Sequence, residues 1–89
     1  MARIIIFHFT DQGRVPKLSR EELTGIRTQF LDVLKDYPDV HFNGMFIDEN
    51  GMGICDWEAP NPDVVKEVVQ KATGFPPPDP TIQVSQVLL

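Results

Sequence analysis

Eighty-nine residues make a single domain, 1–89, small enough to bury only roughly 60–65% of its unfolded surface. The net charge is −5, and the basic residues are scattered from Arg3 to Lys71 without forming a run, which argues against nucleic acid as a partner. Cys55 is the only cysteine, so internal disulfides are excluded and a reducing, intracellular setting fits.

The first element is a strand over residues 2–9, rich in β-branched and aromatic side chains. Its apolar run, Ile4 to Phe7, is too short for a signal-peptide core or a membrane span, so a soluble, cytoplasmic protein is expected, with no membrane partner. Thr10 to Lys17, with Gly13 and Pro16, reads as a loop. Helix signals follow: Ser19 and Glu22 have capping-box spacing, and Leu18 and Leu23 that of a hydrophobic staple. Leu23, Ile26, Phe30, Val33, Leu34 and Tyr37 recur at helical spacing until Pro38 stops them.

Strands are expected over Val40–Asp48 and Met52–Glu58, joined by Asn50-Gly51 as a two-residue hairpin loop with positive φ at both positions. Asn61-Pro62 caps and starts a second helix, with Val64, Val65, Val68, Val69 and Ala72 on one side and Gly74 as its C-terminal cap. The short run Pro76 to Pro80 reads as a stiff connector to a last strand, Thr81–Leu88. The order β-α-β-β-α-β predicts an α+β fold of ferredoxin-like type. It has an antiparallel four-stranded sheet, two helices on one face and nothing on the other.

If Asn50 and Gly51 are the loop, Ile47 faces Ile54, Phe46 faces Cys55, Met45 faces Asp56 and Asn43 faces Glu58. Alternation then sends Val40, Phe42, Phe46, Cys55, Trp57 and Ala59 under the helices, with Ile5, Phe7 and Phe9 from the first strand. The open face receives apolar Ile4, Ile6, Met45, Ile47 and Ile54, and polar His8, His41, Asn43, Asp56, Glu58, Gln83 and Ser85. A half-apolar face of this kind calls for cover, most simply by a second copy.

His8, His41, Asp56 and Glu58 are the ionisable groups expected to share that face, and imidazole with carboxylate is the usual ligand set of a divalent transition metal. The same residues also suit the plain wet side of a strand pair. Asp56 and Glu58, two apart on one strand, could do acid–base work if burial raised one of them. Cys55 has no basic neighbour in this arrangement and reads as a small buried hydrophobe.

The run Cys55-x-Trp57-Glu58-Ala59-Pro60, the helix Val64 to Ala72 and Gly74-Phe75-Pro76 before a final strand resemble an uncharacterised family of small ferredoxin-like proteins. The motif likeness spans roughly residues 40–88. Members often carry a histidine on the second strand; here Asn43 stands nearest that place, with His41 two positions earlier. The resemblance implies a dimeric α/β barrel, a homodimer or higher homo-oligomer, and a link to nickel, since some members are described as nickel-binding.

The expectation is therefore a small binding protein. It holds a divalent metal (nickel-like) or a small ligand on the open face of a homodimer, through His8, His41, Asp56 and Glu58. The alternatives are a cofactor-free oxygenase or isomerase, by fold analogy with other dimeric α/β barrels, and a purely structural or regulatory dimer. A deep pocket beside Asp56 and His8 would mark the enzyme.

Overall fold

The structure, a computed structural model, describes residues 1–85; the expected strand positions 86–88 lie outside the described residues. Six elements run in the anticipated order: β1 (Ala2–His8), α1 (Arg20–Leu34), β2 (His41–Ile47), β3 (Gly53–Ala59), α2 (Pro62–Thr73) and β4 (Thr81–Val84). The strands pair antiparallel in the order β2-β3-β1-β4. Both helices pack on one face of this sheet, so the fold is the ferredoxin-like α+β arrangement. Among the described residues no helix is long and apolar enough to cross a membrane.

Local chemistry sets the helix ends. The Ser19 hydroxyl accepts the Glu22 N–H while the Glu22 carboxylate accepts the Ser19 N–H, both at 3.1 Å. The chain leaves α1 through tightened turns: the N–H groups of Lys35, Asp36 and Tyr37 bond carbonyls three residues back. The apolar repeat runs on to Tyr37, but the helix itself ends at Leu34. In α2, Asn61 Oδ1 accepts the Val64 N–H at 3.0 Å and Pro62 takes the first helical position. Gly74 closes it in the left-handed region, φ 87°.

The core lies between helices and sheet and is built on Ile4, Ile6, Cys55, Trp57, Ala59, Val65 and Val68. Trp57 is its centre, with Phe42 at 4.6 Å and Phe30 edge-on at 5.6 Å between ring centroids. No residue of α1 is fully buried; α2 buries Val65 and Val68.

The hairpin departs from the two-residue loop. Its connection runs from Asp48 to Met52, closed by Asp48 N–H to Met52 O at 2.9 Å and Gly51 N–H to Asp48 O at 3.1 Å. Asp48 Oδ1 also accepts the Asn50 and Met52 N–H groups, and of the two expected positive-φ residues only Gly51 has one, φ 78°. A longer loop slips the register by one residue, so Ile47 faces Gly53, Phe46 faces Ile54 and Met45 faces Cys55. A bulge at Asn43 then shifts the pairing again, setting Phe42 opposite Trp57 and His41 opposite Glu58. Without that extra residue Phe42 would face Glu58 on the open side. The bulge returns its ring to the tryptophan.

These registers correct the expected faces. Ile4, Ile6 and His8 of β1 align with Trp57, Cys55 and Gly53 and therefore lie on the helix side. Met45 and Ile47 lie there too, as does Gln83, which pairs with Ile4. Arg3, Ile5 and Phe7 of β1 face outward, with Ile54, Phe46, Ile82 and Val84. β4 ends at Val84, so Ser85 falls just past the strand. Both alternating sets of β1 are apolar, so alternation alone could not choose between them; pairing with β3 did.

Candidate functional site

Of the four residues expected to share a site, three reach the open face. His41 and Glu58 are exposed and stand directly opposite each other on β2 and β3. Arg3 continues the row, opposite Glu58 on β1. Asp56, one step along β3, is 4% exposed and already engaged. Arg3 Nε donates to its Oδ1 at 3.0 Å, and the second guanidinium arm donates to Oδ2 at 2.6 Å. This bidentate pair raises the Arg3 pKa, first through the hydrogen bond and then through the Asp56 charge. Asp56 is thus held by Arg3 at the margin of the apolar face.

His8 is on the other side of the sheet. Its Nδ1 lies 2.7 Å from the Gly13 carbonyl oxygen and its Nε2 lies 2.9 Å from Cys55 Sγ. A carbonyl only accepts, so Nδ1 carries the hydrogen and Nε2 turns its lone pair to the sulfur. Burial pushes the Cys55 thiol up to about 12, so it is a protonated S–H that donates to Nε2. The expectation of a cysteine without a basic neighbour is corrected here. Its buried position, 8% exposed in the apolar core, is as expected.

Asp79 is a second group that the strand reading passed over. It sits in the proline-rich connector, is 5% exposed, and accepts the Phe9 and Thr10 N–H groups on Oδ2, at 2.6 and 2.9 Å. The Thr10 hydroxyl donates to its Oδ1. These bonds, led by the Thr10 hydroxyl, hold the Asp79 carboxyl below its ordinary range. The connector therefore ties down the loop that carries Gly13, and Gly13 in turn orients His8. An aspartate between two prolines, facing a Thr just past a strand, was the signal available.

Among the described residues no three His, Cys, Asp or Glu side chains converge as a metal-binding group. His8 and Asp56 occupy opposite faces, so no pocket contains both. A cleft of about 190 Å³ lies elsewhere, between the β1–α1 loop and the hairpin, lined by Val15, Leu18, Leu23 and Ile47 with Lys17 and Asp48.

Residues 5–80 match the family model described as nickel responsive protein SCO4226-like. The chain belongs to the SCO4226-like family. No curated protein matches it. The crystal structure of SCO4226 from Streptomyces coelicolor A3(2) superposes with a TM-score of 0.73 at 24% identity, covering 97% of this chain and 99% of that one. At that identity the likeness establishes the fold, the same arrangement in an SCO4226-like protein. On the open face the donors are of a kind that suits a divalent transition metal, imidazole with carboxylate.

Proposed function

We propose that this SCO4226-like protein is a small nickel-linked binding protein that works as a homodimer. Two open sheet faces close on each other, and the ion is held at their polar margin by His41 and Glu58. One observation carries this reading: His41 stands opposite Glu58 on a face whose other outward side chains are largely apolar. Phe46 is 60% exposed there, with Ile82 and Val84 each at 38%. Four strands at about 4.8 Å spacing and roughly 23 Å length present a face of about 400 Å², near the limit that monomers leave open.

The exposed imidazole and carboxylate each supply one donor, and a twofold partner would supply the same pair again, which completes a four-donor set. Asp56 stays paired with Arg3 and contributes no free charge to the ion. His8 takes no part in this site, because it lies on the helix side.

The test is a nickel titration by calorimetry, with native mass spectrometry, on wild type and a His41→Ala, Glu58→Gln double variant. Binding at a dimer is expected for wild type and weakened in the variant, and it should release protons, because metal ligands bind in their deprotonated form. Equal affinity in both proteins would remove the reading.

A further inference from the structure

The helix side of the sheet places three soft or borderline donors on neighbouring strands: His8 on β1, Cys55 on β3 and Met45 on β2. Met45 is the direct cross-strand partner of Cys55 and packs against the core that contains it. Residues so paired have β-carbons about 4.5–5.5 Å apart, within reach of a flexible thioether. His8 reaches the same sulfur from the other flank, at 2.9 Å. Its ring is already oriented as a metal ligand requires: Nδ1–H is tied to the Gly13 carbonyl and the Nε2 lone pair faces inward.

We infer that His8 Nε2, Cys55 Sγ and Met45 Sδ form a second metal site, separate from the open face, which takes copper(I) in preference to nickel. Three arguments select that ion. Thiolate and thioether donors favour copper(I), whereas nickel is better served by imidazole and harder ligands. The site is largely closed, and copper(I) is satisfied by few donors, while nickel(II) calls for more than three. Charge decides most strongly. One thiolate neutralises one copper(I), but would leave nickel(II) with a net positive charge beneath two helices, where an uncompensated charge is costly. Asp79 does not supply the missing anion, since its two oxygens are taken by Phe9 and Thr10.

Binding exchanges the Cys55 S–H bond for an S–Cu bond, the proton leaves to solvent, and no electron is transferred. His8 and Met45, each only half-buried, give the ion its way in.

The full chain, kept reduced, is titrated with copper(I) in competition with bathocuproine disulfonate. Wild type is expected to withdraw one copper(I) per chain from the chelator. His8→Ala or Cys55→Ser should weaken binding by roughly 100-fold or more, beyond what loss of a supporting group costs. Because those variants also disturb the core, Met45→Leu is the deciding one. It keeps volume and fold, checked by circular dichroism, and should weaken copper(I) by about tenfold through loss of the thioether alone. Nickel affinity should be unchanged in Met45→Leu, which separates this site from the His41–Glu58 reading. Copper(I) binding as tight in Met45→Leu as in wild type would overturn the inference. So would displacement of copper(I) from wild type by an equal concentration of nickel.

Discussion

Gly51 sits at φ 78°, and a β-carbon there would come within 1.9 Å of the Val15 carbonyl oxygen. Its own carbonyl accepts the Val15 N–H at 2.8 Å, so the hairpin tip is sewn to the loop before α1. Gly51→Ala is expected to cost at least about 1–2 kcal/mol in chemical denaturation, from the left-handed conformation alone. Asn50→Ala, at an exposed position without positive φ, should stay within about 0.5 kcal/mol. Cys55→Ser keeps a hydroxyl donor aimed at His8 Nε2, which places its cost near the lower end of about 1–3 kcal/mol for a buried polar group. Asp79 carries a pH signature. Its folded pKa is depressed, so its contribution to stability is complete above the ordinary value of 3.8 and drains away as pH falls below it. Melting temperatures measured from pH 7 downward should show a steeper acid-side loss in wild type than in Asp79→Asn.

The two helices are attached by different means. α2 buries Val65 and Val68 completely, while α1 buries nothing completely and depends on Phe30 meeting Phe42 and Trp57. Phe30→Ala should therefore cost about 3 kcal/mol, the low end for a phenylalanine because the ring is only half-buried. Native-state hydrogen exchange should show α1 amides opening before those of α2, and the gap should widen in Phe30→Ala. Equal protection of both helices would mean that α1 has stronger anchors than its packing displays. The bulge at Asn43 belongs to this scale as well. It keeps Phe42 against Trp57 and brings His41 opposite Glu58.

For the molecule as a whole, helices cover one face of the sheet and leave the other open. Phe46 and Ile54 are cross-strand neighbours on that open face, so Phe46→Asp with Ile54→Asp should break the proposed homodimer with little damage to the core behind it. Sedimentation velocity on wild type and variant reads the outcome directly. A wild type that stays monomeric at micromolar concentration would contradict the dimer. The open face proved more apolar than alternation suggested, because Ile82 and Val84 face outward with Ile5 and Phe7.

Element order, both helix starts, the Gly74 stop and the burial of Cys55 and Trp57 were all legible in the sequence. Each depends on a few adjacent residues: Ser19 with Glu22, Asn61 with Pro62, apolar side chains at helical spacing. The faces of β1 and β4 were not legible. Ile4-Ile5-Ile6-Phe7 offers two apolar sets of nearly equal merit, and the choice between them is a cross-strand register, settled by residues 47 to 53 positions away on β3. One extra stretch of loop at Asp48–Met52 was enough to turn Met45 from the open face to the core side and Phe46 the other way. The candidate sites follow from that parity. His8 left the carboxylates and met Cys55, His41 kept Glu58 only because of a bulge, and Asp56 was claimed by Arg3. Local propensity fixed what the elements are, whereas which side chains meet was decided by non-local pairing, because a strand presents both its faces equally until a neighbour sets its register.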